Sequence, residues 1–99
     1  MTGASADKAG GVRRVAVIDI GTVTVRLAVA DVGPHSAVDV LRRHRIVQLG
    51  EGVATTHRLS AAALGRADAV LGEYCRILDK LAAEGAPAQK VSVLATYAA

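Results

Sequence analysis

Asp19, Gly21, Thr22 and Thr24 sit close together in the stretch RVAVIDIGTVTVRLAVADVG, residues 14–33. A carboxylate, a glycine and two hydroxyls are residue types that can handle a phosphoryl group. Gly21 lets the backbone approach a bulky anion. The amides of Thr22, Val23 and Thr24 can donate to phosphate oxygens, and the hydroxyls add donors. Asp19 can hold Mg²⁺, directly or through water. A metal and amide donors around one phosphoryl group would stabilise the charge that develops in its transfer. The same residues also fit a plain turn, in which a carboxylate at a strand end satisfies local backbone groups.

Such a turn needs elements to position it. Residues 14–20 form a β-branched run that suits a strand buried on both faces. Residues 25–32 resume after the Gly-Thr-Val-Thr break, and so short a link predicts an antiparallel hairpin. Gly33-Pro34-His35-Ser36 is a second turn signal. The run AVDVLRRHRIVQLG then alternates raggedly, as expected of an edge strand. Residues 50–59 read as a polar loop. Ser60 is placed to cap a long helix. Leu64, Ala67, Leu71, Tyr74, Leu78 and Leu81 would form its apolar stripe, widened by Val70 and Ile77. Gly65 and Gly72 would permit close packing on a sheet, and Tyr74 and Cys75 read as core. Gly85 and Pro87 end the helix, and residues 90–96 form a fourth strand. The order is β-β-β-α-β, with the fourth strand laid parallel to the first. The helix covers one face of the sheet; the other face also needs cover.

The chain has 99 residues, 52% of them hydrophobic, so it is not a disordered tail. Aromatic content is 2%, which leaves the core without large payload residues. A domain of this size is marginal by itself and is expected to want a partner. The net charge of +3 is mild. The local cluster of Arg42, Arg43, His44 and Arg45 could meet a polyanion, or could be a solvated edge that blocks aggregation. The single Cys75 allows no internal disulfide and fits a reducing, cytoplasmic compartment. No apolar run is long enough to span a bilayer. The first residues show no signal-peptide pattern, and 1–13 read as a flexible start. No Cys/His spacing points to zinc.

Three blocks in order, VAVIDIGTVTVRLAVADV, RIVQLGEGVATTHRLS and VSVLAT, resemble the N-terminal region of the Ppx/GppA family of exopolyphosphatases and guanosine pentaphosphatases. The resemblance implies an α/β fold of the ribonuclease H-like, actin-like ATPase class, here a partial domain over 14–99. It implies Mg²⁺-dependent hydrolysis of terminal phosphates from polyphosphate or guanosine pentaphosphate. By this resemblance Asp19, Gly21 and Thr22 match the Asp-x-Gly-Thr motif, with Asp19 on the metal side. Thr24, Arg26 and Thr96 join the phosphate side, and Gly50, Glu51 and Gly52 match the Leu-Gly-x-Gly loop. Arg42, Arg43 and Arg45 are candidate polyanion contacts.

The chain departs from the family pattern at Val23, where Asn is usual, at Gln48, where Arg is frequent, and at Ala54 and Tyr97. The family's catalytic glutamate and second phosphate loop are expected to lie beyond the fourth strand, so no catalytic residue is assigned here. The expectation is a phosphatase segment inactive in isolation. The alternative is a non-catalytic remnant that binds phosphate or polyanion, or docks on a full-length relative. A second copy or a complementary domain is the expected partner, with no membrane and no specific nucleic acid.

Overall fold

Alternating apolar residues in the first half of the chain build three consecutive antiparallel strands: β1 (Arg13–Ile20), β2 (Thr24–Val32) and β3 (Ala37–Ile46). The computed structural model describes residues 11–95. A one-turn helix α1 (Val53–Thr56) and a long helix α2 (Ala61–Ala83) follow, then β4 (Lys90–Ala95). The sheet order is β3-β2-β1-β4, with β4 parallel to β1. This is the expected β-β-β-α-β arrangement, with β3 at one edge and Asp19 on a central strand. The expectations for residues 1–10 and for Thr96 and Tyr97 lie outside the described residues.

The helix begins and ends as its sequence dictates. Ser60 Oγ accepts from the Ala63 amide at 3.0 Å. At the other end, Gly85 takes a φ of +82°, and the amides of Gly85 and Ala86 donate to the carbonyls of Ala82 and Leu81. That pair of bonds is a Schellman stop, which needs a residue at ease with positive φ. Arg14 on β1 then fastens the helix exit to the sheet. Its guanidinium binds both carboxylate oxygens of Asp31 at 2.8 and 3.0 Å and the Ala86 carbonyl at 3.2 Å.

The core lies between α2 and one sheet face. Ala16 and Ile18 of β1, Val25, Leu27 and Val29 of β2, and Ala63, Ala67 and Tyr74 of α2 are buried there, with Val47 and Leu49 from the segment after β3. Each of the buried Val, Leu and Ile side chains contributes about 1.5–3 kcal/mol of burial, and Tyr74 supplies the bulk that the aliphatic residues lack. Tyr74 Oη donates to the Val25 carbonyl at 2.7 Å.

Four expectations need correction. The polar segment 50–59 contains α1 rather than loop alone, opened by Gly52 at φ +77°. Leu64 is 49% exposed, and Ala63 takes its place on the buried stripe. Gly65 and Gly72 do not mark close packing, since a Cβ at Gly65 would meet nothing within 4 Å and one at Gly72 only Arg76 at 3.5 Å. Cys75 is exposed, because the residue after an inward-facing Tyr74 lies about 100° round the helix.

The ragged pattern in β3 has a local cause. Val29 pairs with Leu41 and Ala30 with Asp39, so Val40 is an extra residue, a β-bulge. Three positions apart in a regular strand, Asp39 and Arg42 would point to opposite faces. The bulge puts them on the same face, where Arg42 Nε meets Asp39 Oδ2 at 2.9 Å.

Candidate phosphate-binding site

The turn between β1 and β2 is closed by the Gly21 amide donating to the Thr24 carbonyl at 3.0 Å. It is then held from one side by the segment after β3. The Val47 and Gln48 amides both donate to the Val23 carbonyl, at 2.8 and 3.0 Å, and the Gly50 amide donates to the Thr22 carbonyl at 3.0 Å. Val47 and Leu49 anchor that segment in the core. Gln48, between them, adopts a φ of +51°.

These bonds orient the turn. In a trans peptide the N–H points opposite to the preceding C=O, and no peptide bond here is cis. With the Thr22 and Val23 carbonyls turned toward segment 47–50, the amides of Val23 and Thr24 are turned away from it. Thr22 and Val23 themselves are exposed. The turn thus spends its acceptors on the protein and directs two donors elsewhere, the polarity an anion requires.

Strand alternation arranges the charged groups. Val25, Leu27 and Val29 face the helix, so Thr24, Arg26 and Ala28 face the open side of the sheet. Cross-strand pairing sets Asp19 opposite Arg26, and Arg26 opposite His44. Asp19, Arg26, Arg42, Arg43 and His44 all border one open pocket of about 250 Å³. The basic run is therefore split. Arg42 and His44 share the open face with Arg26. Arg45 pairs with Val25 and so belongs to the helix side, where it meets Glu73 at 2.8 Å, while Arg43, opposite Leu27, still borders the pocket.

Among the described residues, no three His, Cys, Asp or Glu side chains gather to hold a metal. Asp19 offers a single carboxylate at the end of β1. That donor set suits Mg²⁺ held mainly by water and phosphate oxygens, not a cation caged by protein.

Over 90 residues the chain is 42% identical to Exopolyphosphatase 2 of Mycobacterium tuberculosis, a match covering 87% of this chain and 27% of that protein. The crystal structure of an Aquifex aeolicus Ppx/GppA family member superposes with a TM-score of 0.75 at 33% identity, over 85% of this chain and 26% of that one. The chain is similar to one segment of the Ppx/GppA proteins. An exopolyphosphatase structure from Cytophaga hutchinsonii is also similar, with a TM-score of 0.68 and 30% identity over 86% of this chain and 25% of that one. No protein-family model matches. The chain spans about a quarter of the length of these relatives.

Within the matched segment, the structure brings Asp19, Gly21, Thr22, Thr24 and Arg26 to one end of the hairpin. Gly50 reaches the same place through its bond to Thr22. Arg45 stands apart from this group, held by Glu73. His44 enters through its register with Arg26, which depends on the hairpin pairing. One neighbour, Arg66, was missed in the sequence. It reaches the back of segment 47–51 from α2. Its signal was an arginine directly beside the buried Ala67, at the border of the apolar stripe.

Proposed function

We propose that this chain supplies one half of a phosphate site of the Ppx/GppA type. The family activity is hydrolysis of the terminal phosphate of polyphosphate or guanosine pentaphosphate. The observation that carries the reading is the orientation of the Gly21–Thr24 turn, with carbonyls bound to segment 47–50 and the Val23 and Thr24 amides turned outward. In this reading those amides and the hydroxyls of Thr22 and Thr24 hold phosphate oxygens, and Arg26 adds charge. Thr96 joins them on the strength of the family motif. Asp19 holds Mg²⁺ through its carboxylate or a bound water. When bound, that ion neutralises charge on the phosphoryl oxygens. The activating base and the second half of the clamp come from the part of the family that this chain does not match. The reading carries a cytoplasmic location with it.

Incubation with Mg²⁺ and long-chain polyphosphate tests the catalytic half of this statement. We expect no phosphate release from the chain alone, and measurable turnover overturns the assignment of the base elsewhere. Calorimetry with sodium tripolyphosphate at low and high salt tests the binding half. Heat that fades as salt rises supports it, and a flat titration at low salt refutes it.

A second reading has its own support. On β4, Val91, Val93 and Leu94 are 48%, 58% and 51% exposed. A non-catalytic module that docks a complementary domain or a second copy along β4 would cover them. A concentration-dependent change in sedimentation, removed by Val93→Lys, distinguishes docking to a second copy.

A further inference from the structure

We propose that Arg66 is a positioning residue for the phosphate-side turn, acting through segment 47–51. The inference rests on the anion-binding reading for its functional consequence, but its structural link stands on separate contacts.

The link has three stages. Arg66 reaches out of α2 and donates Nε to the Val47 carbonyl at 2.8 Å. Its terminal nitrogen donates to the Gln48 carbonyl at 3.3 Å and to Glu51 Oε1 at 3.2 Å. One planar fork therefore holds two successive carbonyls and a carboxylate of the same segment, a geometry an ammonium group does not reproduce. The ion pair with Glu51 is solvent-exposed and adds little by itself; the carbonyl contacts are the part that fixes the backbone.

The second stage is Gln48. A residue with a Cβ is rarely found at a φ of +51°. Such a conformation persists where its surroundings over-determine it. Here the Gln48 amide is bound to Val23, and its carbonyl accepts from both Glu51 and Arg66. The left-handed turn at Gln48 lets the amides of Val47, Gln48 and Gly50 converge on the hairpin turn.

The third stage is the turn itself. Those three amides hold the Thr22 and Val23 carbonyls, and through the rigid peptide planes they fix where the Val23 and Thr24 amides point. Loss of the Arg66 fork releases the segment, then the carbonyls, then the donors. Arg66 touches no part of the anion in this scheme.

The test uses the ¹⁵N-labelled chain and the variants Arg66→Lys and Arg66→Gln, with Arg76→Gln on the same helix as a charge control. Two quantities are read. One is hydrogen exchange of the Gly50 amide, which reports the bond to Thr22 whether or not any anion binds. The other is the affinity for sodium tripolyphosphate, read from the Val23 and Thr24 amide shifts.

We expect about tenfold faster Gly50 exchange in both Arg66 variants, from loss of hydrogen bonds to a charged donor. We expect several-fold weaker tripolyphosphate binding in Arg66→Lys, although its charge is kept, and near-normal values in Arg76→Gln. Dispersed core signals around Tyr74 confirm that each variant is folded. If a variant is unfolded, exchange in the wild-type chain decides alone: a Gly50 amide no better protected than an exposed loop overturns the link. Arg66→Lys with unchanged exchange and unchanged affinity overturns the proposal. Wild-type chain that binds no tripolyphosphate overturns the anion reading, while Gly50 exchange still decides the structural link.

Discussion

Tyr74 on α2 and Val25 on β2 are joined by a hydrogen bond of 2.7 Å that crosses the whole core, from a buried phenol to a strand carbonyl. The contact fixes where the helix sits over the sheet. Tyr74→Phe keeps the ring and removes the bond, at an expected cost of about 1 kcal/mol in urea unfolding. Burial pushes the phenol pKa above its ordinary 10.0. The unfolded chain therefore ionises Tyr74 first, so the stabilisation is complete below pH 10 and declines above it. Tyr74→Phe should flatten that alkaline decline. An unaltered slope would assign it to other groups.

Arg14 and Asp31 should mark the acid side. The hydrogen bond from Arg14 holds the Asp31 carboxyl below its ordinary 3.8, and the guanidinium is raised in return. A lowered carboxylate stabilises the fold fully above its unfolded pKa and loses that contribution as pH falls through the folded value. Thermal melts between pH 5 and 2 should show a shallower acid loss in Asp31→Asn than in the wild type. Parallel curves would mean that the pair contributes nothing.

Gln48 tests the backbone directly. Glycine is at ease at positive φ, so Gln48→Gly should be neutral or stabilising by up to about 1 kcal/mol. A β-branched residue is poorly tolerated there, and Gln48→Val should cost about 1–2 kcal/mol. The order of the two variants in chemical denaturation is the result to check, and a reversed order would remove the strain argument.

Arg26 and Arg45 separate the two sides of the sheet. Arg26→Gln should weaken tripolyphosphate binding and reduce its salt dependence, since it removes charge beside the turn. Arg45→Gln should leave binding nearly unchanged and free Glu73 instead. Equal losses from both variants would mean that net charge alone governs the interaction.

The sequence already contained the hairpin, the caps of α2 and the parallel return of β4, because each depends on local residue types: Gly-Thr between β-branched runs, Ser60, and Gly85 ahead of Pro87. The motif residues of the turn were legible for the same reason. The division of the basic run was not, because which arginine faces the helix depends on pairing with β2 and on the bulge at Val40. The clamp from Arg66 was also hidden, since it joins residues distant in the chain through backbone carbonyls, which carry no residue signature. Leu64 was misplaced because the neighbouring Ala63, small but inward, gave a fainter signal than a leucine.

Val40 has a consequence for how this strand can change length. Because it is unpaired, its removal would leave Asp39 against Ala30 and Leu41 against Val29, with every side chain on its present face. Removing Leu41 instead would set Val40 against Val29, keeping the register but replacing a core-packed leucine by a smaller valine. A chain lacking Val40 should fold with a straighter edge, and one lacking Leu41 should fold in the same register with lower stability. The edge strand thus has one place, the bulge at Val40 and Leu41, where a codon can be lost without inverting inside and outside.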